Sequence, residues 1–184
     1  MIARMSTATI RLIAALSLLV LLALAQTAPS GAGQGWVGEF NHATRQINAL
    51  AEATPAEKFS WRPAPGVRSV GEVYMHIAIG NYFLLGQSGV KLAPEMASKI
   101  KPDTEKAVTE KADVMKWLKD SQEMVREQYA KADRAKKVKF FGSETTVDGM
   151  MLRLLVHNHE HMGQSIAYAR MIGVVPPWSQ SREQ

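Results

Sequence analysis

The 184-residue sequence contains no cysteine. This absence excludes disulfide bonds, thiolate metal ligands and a cysteine nucleophile. It also excludes a lipoprotein anchor, because no cysteine follows the apolar run near the N-terminus. Any metal site in this chain must therefore use other side chains.

The chain also lacks a large excess of charge of either sign. The chain has 22 basic and 17 acidic residues, a net charge of +5, and two of the arginines, Arg4 and Arg11, precede the apolar run. An excess this small does not indicate a nucleic-acid partner. The sequence also lacks several segments of strand-like alternation, which points away from a β-rich fold. It contains no internal repeats or low-complexity tracts, which points away from a repetitive fold.

The N-terminal segment is typical of a secretory signal peptide. Residues 1–11 carry two arginines and no acid, residues 12–25 are apolar or small, and the run ends in Ala23-Leu24-Ala25. The apolar run is shorter than the roughly 20 residues that a membrane-spanning helix needs. We therefore predict a signal peptide at 1–25 and a flexible linker at 26–35. An uncleaved N-terminal anchor is the alternative.

Four amphipathic segments follow, in which apolar residues recur every three or four positions. They predict helices over Trp36–Ala53, Ser69–Gln87, Thr109–Ala132 and Thr145–Ile172. Shorter features are a helical turn near Ala93–Ile100 and an extended piece at Val138–Phe141. We therefore predict an all-α domain over residues 36–179, an up-and-down four-helix bundle, with a tail at 180–184.

Local signals mark the helix ends. Ser69 and Glu72 are spaced as a capping box at the start of the second helix. Thr145 is the predicted cap of the fourth helix, with Asp148 favourably placed in its first turn. Gly173, followed by two prolines, is the predicted stop of that helix.

Two histidines on the fourth helix, His157 and His161, are the main functional signal. Four residues make about one helical turn, so both imidazoles leave the same face. Burying imidazoles without partners costs on the order of 1–3 kcal/mol each, which a shared metal ion would offset. His76 on the second helix is the one well-placed third ligand, since His42 and His159 are predicted to face away. Histidines bonded to one another and to water, without metal, remain the alternative.

Several motifs resemble the DinB superfamily, also called DinB/YfiT-like proteins. They are SVGEVYMHIA on the second helix, HNHEHMGQSIAYARMIGVVPP on the fourth, the WRP turn at 61–63 and the closing G-x-x-PP. The resemblance implies a four-helix bundle with a divalent metal on His76, His157 and His161. It also implies that Gln164, in the H-x-G-Q pattern, supports the ligands, and we expect Tyr168, one turn further on, to share this role.

We therefore expect an exported enzyme, periplasmic or extracellular, that depends on zinc, nickel or iron. Three neutral imidazoles leave the metal its full charge, which favours activation of water or a thiol by a hydrolase or transferase. No catalytic base is evident, since Glu72 and Glu160 are not convincingly placed. The alternative is a non-catalytic metal-binding or partner-binding bundle of the cell envelope. The expected partner is a small-molecule substrate, with no stable membrane insertion after signal cleavage. A homodimer is a further possibility.

Overall fold

The computed structural model describes residues 31–182. The predicted signal peptide and the first half of the predicted linker lie outside these residues. Residues 31–34 form a turn that leads into the first helix. No helix within residues 31–182 has the length and hydropathy needed to span a membrane.

The described chain is mostly helical, with four long helices, two short ones and one two-stranded hairpin. The helices are α1 (Gly35–Ala53), α2 (Val70–Gln87), α3 (Pro94–Lys99), α4 (Pro102–Ala107), α5 (Lys111–Lys131) and α6 (Val147–Met171), and the strands are β1 (Lys137–Phe140) and β2 (Ser143–Thr146). Turns of 3-10 helix lie at Ala56–Lys58 and Pro177–Arg182. The long helices match the predicted segments to within about two residues, the usual uncertainty of helix ends.

Capping explains where α2 and α6 begin. At α2 the backbone N–H of Glu72 donates to Ser69 Oγ (3.2 Å), and the backbone N–H of Ser69 donates to the Glu72 carboxylate (2.8 Å), so the predicted capping box is confirmed. The prediction of Thr145 as the cap of α6 was wrong. Thr145 pairs with Val138 in the hairpin, and Thr146 accepts the bond from the backbone N–H of Gly149.

The long helix α2 lies at the centre of the structure. It packs against both α5 and α6, and α1 packs against the same two helices. Apolar side chains fill the space between them in two clusters, one around Tyr74, Met75 and Leu118 and one around Phe40, Leu85 and Leu154. The short α4, for which no helix was predicted, also packs against α2.

A buried polar chain crosses the same core. The amide of Asn158 on α6 donates to Asn81 Oδ1 on α2 (2.7 Å), and the amide of Asn81 donates to Ser121 Oγ on α5 (3.1 Å). All three residues are fully buried. Buried polar side chains are costly when they are unpaired. This chain of hydrogen bonds therefore favours the alignment of the three helices in which the bonds form over alignments shifted along the helix axes.

The hairpin turns over two residues with positive φ, Phe141 (46°) and Gly142 (83°). Two consecutive positive values define a type I′ turn, which usually carries Asn-Gly. A side chain such as that of Phe141 costs about 1–2 kcal/mol in the left-handed region. The hairpin therefore carries an aromatic residue at a position that local backbone energetics disfavour.

Candidate metal centre

His76 on α2 faces the histidine pair on α6. Its Nε2 lies 3.2 Å from Nε2 of His157. The ring centroids of His76 and His157 are 5.0 Å apart, those of His76 and His161 4.5 Å, and those of His157 and His161 4.6 Å. One nitrogen from each ring lies within 4.8 Å of the other two. The predicted meeting of three imidazoles from two helices is therefore present in the structure.

The ring of His76 is oriented by a carboxylate. Its Nδ1 lies 2.6 Å from Glu105 Oε1, and the second oxygen of Glu105 accepts from Arg68 Nε at 2.6 Å. Burial alone would raise the pKa of Glu105, but the bonds to His76 and Arg68 outweigh it and the pKa is lowered. The ionised carboxylate holds the proton of His76 on Nδ1, which leaves Nε2 free to act as a ligand.

The ring of His161 is oriented in a similar way by an amide. Its Nδ1 lies 2.8 Å from Gln164 Oε1, and the amide nitrogen of Gln164 donates to the hydroxyl of Tyr168 at 3.0 Å. Burial lowers the pKa of His161, so its neutral form is favoured. Gln164 and Tyr168 thus form a short chain of hydrogen bonds that ends on the ring, as a supporting role requires.

The Nδ1 side of the His157 ring is held by packing rather than by a hydrogen bond. It is buried, and its Nδ1 has no hydrogen-bond partner within the described residues. Burial, aided by the nearby His161 and His76, lowers the pKa of His157 to about 3. Gly80 on α2 lies directly under the ring, where an added Cβ would come 2.2 Å from His157 Cε1. Glycine at position 80 therefore makes room for the imidazole.

The other two described histidines take no part in the cluster. His159 lies on the far side of α6, with Nδ1 3.0 Å from the carbonyl oxygen of Leu155 and Nε2 3.9 Å from Glu39. His42 is half-buried on α1. Neither belongs to the group of close metal-ligating atoms found among residues 31–182, in line with the prediction that both face away.

The two carboxylates considered from the sequence as catalytic bases, Glu72 and Glu160, form hydrogen bonds with arginines outside the histidine cluster. Glu160 accepts from the guanidinium of Arg153 (3.1 Å), and Glu72 accepts from Arg62 (2.9 Å) in addition to its bond in the capping box. The carboxylate that does reach the cluster is that of Glu105.

Sequence reasoning missed Glu105, Arg68 and Gly80. A signal for α4 was present, since proline at a first helical position followed by acidic residues is typical of a helix start. Nothing in the sequence, however, shows that Glu105 reaches a histidine 29 residues away.

A cavity of about 410 Å³ opens beside the cluster. His76, His157 and Glu105 line part of it, and the rest of its walls are formed mainly by apolar side chains, among them Ile79, Phe83 and Phe140. A volume of this size falls within the range of small-molecule sites.

The donor set suits a divalent ion. Zinc at catalytic sites commonly takes three protein ligands and keeps another position open, and imidazole also suits nickel and iron. In this chain two rings have an oxygen partner on Nδ1 and the third is held by packing. The residues present therefore fit a three-histidine metal centre.

Comparison with known proteins places the chain in a family. The family model of the DinB superfamily matches residues 39–165, which include all three histidines. No curated protein shows significant similarity to the chain.

Two solved structures share the fold. A DinB-like protein from Bacillus cereus is 20% identical with a TM-score of 0.65, and the match covers 79% of this chain and 95% of the other. A DinB-like protein from Bacillus subtilis, YjoA, is 19% identical with a TM-score of 0.58, over 76% of this chain and 92% of the other. The chain belongs to the DinB superfamily.

Proposed function

We propose that this protein is an exported metal-dependent enzyme in which His76, His157 and His161 hold one divalent ion. The observation that carries the proposal is the convergence of three imidazole nitrogens within 4.8 Å of one another. Lowered pKa values keep His157 and His161 neutral near pH 7, the form in which imidazole binds metals. Zinc, nickel and iron are the candidate ions.

A divalent ion at this position supplies Lewis acidity that activates water or a thiol. The chain's own residues would position that chemistry. Glu105 and Gln164 fix two of the rings, and Gly80 lets the third approach. The apolar cavity would hold the substrate and exclude bulk water. This set of roles supports a hydrolase or a transferase.

The cavity favours an enzyme over a purely structural metal site. A structural site is usually closed by a fourth protein ligand, whereas a catalytic site keeps a position open. Within residues 31–182 the ligand group comprises only three residues, and a small-molecule cavity meets two of them. A non-catalytic metal-binding or partner-binding bundle of the cell envelope remains the competing proposal.

We further propose that α1, α2, α5 and α6 form an up-and-down four-helix bundle. The packing of α2 and of α1 against the same two helices supports this arrangement. Export to the periplasm or the extracellular space is proposed from the arginines and apolar run of residues 1–25.

Elemental analysis of the natively purified protein tests the metal proposal. The expected result is about one divalent ion per chain, lost in His161→Ala and retained in His159→Ala, which removes a neighbouring histidine outside the cluster. Native protein without metal that also fails to bind added zinc, nickel or iron would refute it. Activity screens with hydrolase and thiol-transferase substrates would then separate the reaction classes.

A further inference from the structure

The cavity beside the histidines has an unusual composition for a site that handles polar chemistry. Beyond the cluster, its walls include the apolar side chains of Ile79, Phe83, Leu84, Phe140 and Phe141. A polar substrate such as a sugar or a nucleotide would leave its hydroxyl groups without partners along these walls. The lining therefore suits a ligand whose body is apolar.

Phe141 lines the cavity with an aromatic side chain that remains exposed to solvent. Its side chain is 84% exposed, although it lines the cavity, and it occupies a left-handed position in the hairpin turn. Asparagine would fit that backbone position better. Strained backbone and exposed aromatic surface both disfavour phenylalanine here, and a ligand that packs on the ring would offset the exposure.

Charge at the cavity gives the ligand a second property. The lining contains three groups of fixed charge, Lys101, Glu105 and Arg153. Glu105 is paired with Arg68, and Arg153 with Glu160. Lys101 has no ion-pair partner in the described part of the chain, so the lining and its ion-pair partners carry a net positive charge. A site of this kind favours an anion over a cation.

We propose that the cavity binds a small, mainly apolar organic acid, with its acid group beside Lys101 and its other end towards the three histidines. This inference rests on the proposed function in treating the ligand as the substrate of the metal centre. An aliphatic or aromatic carboxylate that carries a hydrolysable or thiol-reactive group at its far end has the required properties.

Binding is measured first on metal-free protein, with the fluorescence of 8-anilinonaphthalene-1-sulfonate as the probe and decanoate as the competitor. Decanol serves as the neutral control and glucose 6-phosphate as the polar anion. We expect decanoate to displace the probe at lower concentration than decanol, and glucose 6-phosphate to have no effect.

Two pairs of variants locate the ligand. Lys101→Ala should weaken decanoate about two- to fivefold and leave decanol unchanged, whereas Lys106→Ala, an exposed lysine of α4 outside the cavity, should change neither. Phe83→Ala should weaken both competitors by roughly five- to tenfold, whereas Leu152→Ala, which removes an exposed apolar side chain outside the cavity, should weaken neither.

Phe141→Asn separates binding from folding. The variant should unfold at a higher temperature, because asparagine suits the type I′ turn, and should bind decanoate more weakly. Loss of affinity with a gain in stability cannot be explained by misfolding. A more stable variant with unchanged affinity would contradict a role for the Phe141 ring.

Three results would overturn the proposal. They are equal affinity for decanoate and decanol, dependence of decanoate binding on zinc but not on Lys101, and co-sedimentation with phosphatidylglycerol vesicles without binding of decanoate. The second result places the acid on the metal, and the third makes a membrane surface the occupant. Zinc content, measured separately, shows whether the metal proposal has failed instead.

Discussion

Substituting Gly80 by alanine should abolish tight metal binding without removing any ligand. An added Cβ would lie 2.2 Å from His157 Cε1, 2.9 Å from Nδ1 and 3.0 Å from Nε2. Ordinary contact begins at 3.4 Å, so the ring must move by about 1.2 Å. Metal–nitrogen bonds of about 2.0–2.1 Å tolerate deviations of only about 0.2 Å, and the displaced ring can no longer complete the site.

The expected change in the stability of the metal-free variant follows from two opposing contributions. Alanine is favoured over glycine within a helix by about 1 kcal/mol, whereas overpacking of a buried site costs about 1–3 kcal/mol. The metal-free variant should therefore be as stable as the parent protein or less stable by up to about 2 kcal/mol. Zinc affinity should fall by at least about 100-fold, since even the loss of a supporting partner of a ligand costs 10- to 100-fold.

Zinc titration against a chromophoric chelator measures the affinity, and thermal unfolding in EDTA measures the metal-free stability. The matched control is Gly163→Ala on α6, where an added Cβ meets no atom within 4 Å. That variant should gain up to about 1 kcal/mol and bind zinc normally. If Gly80→Ala binds zinc as tightly as the parent protein, His157 is not a ligand in the position described.

Three further substitutions or conditions test the surroundings of the site. Glu105→Gln should lower zinc affinity by roughly 10- to 100-fold, because His76 loses its ionised partner, while the exposed control Glu95→Gln should have no effect in the same titration. The metal-free protein should lose stability on acidification, because the pKa of His157 falls from 6.5 in the unfolded chain to about 3 on burial and only the unfolded chain then binds a proton. The expected loss is up to about 1.4 kcal/mol per pH unit between about pH 6.5 and pH 3, and it should be smaller in His157→Gln when urea unfolding is followed over that range. Thr146→Ala should cost about 1 kcal/mol in urea unfolding and Thr145→Ala clearly less, and the reverse order would contradict the capping assigned to α6.

The parts of the fold that depend on local periodicity could be predicted from the sequence. Apolar spacing located α1, α2, α5 and α6, and the capping box located the start of α2, because both signals arise from neighbours within one or two turns. The prediction of Thr145 as the cap of α6 failed because local signals do not distinguish it from Thr146. Both can cap a helix, and the pairing of Thr145 with Val138 in the hairpin decided between them.

The candidate site was predictable in its histidines but not in their surroundings. His157 and His161 share a helical face by spacing alone, and an inward-facing His76 was the one remaining partner. Glu105 and Gly80 act through contacts between separate elements, which a single sequence does not reveal. Glu105 in particular lies in a segment for which no helix was predicted, where a six-residue helix places it against α2.

The buried amide pair joins the assembly of the site to the assembly of the fold. Asn158 directly follows His157, and its partner Asn81 directly follows Gly80. Sliding α6 along α2 by one turn would break the amide pair and would move the imidazole away from the gap left by the glycine. Two adjacent residues on each helix thus link the alignment of α2 and α6 to the position of His157, so the packing that pairs the buried amides also brings this imidazole to the site.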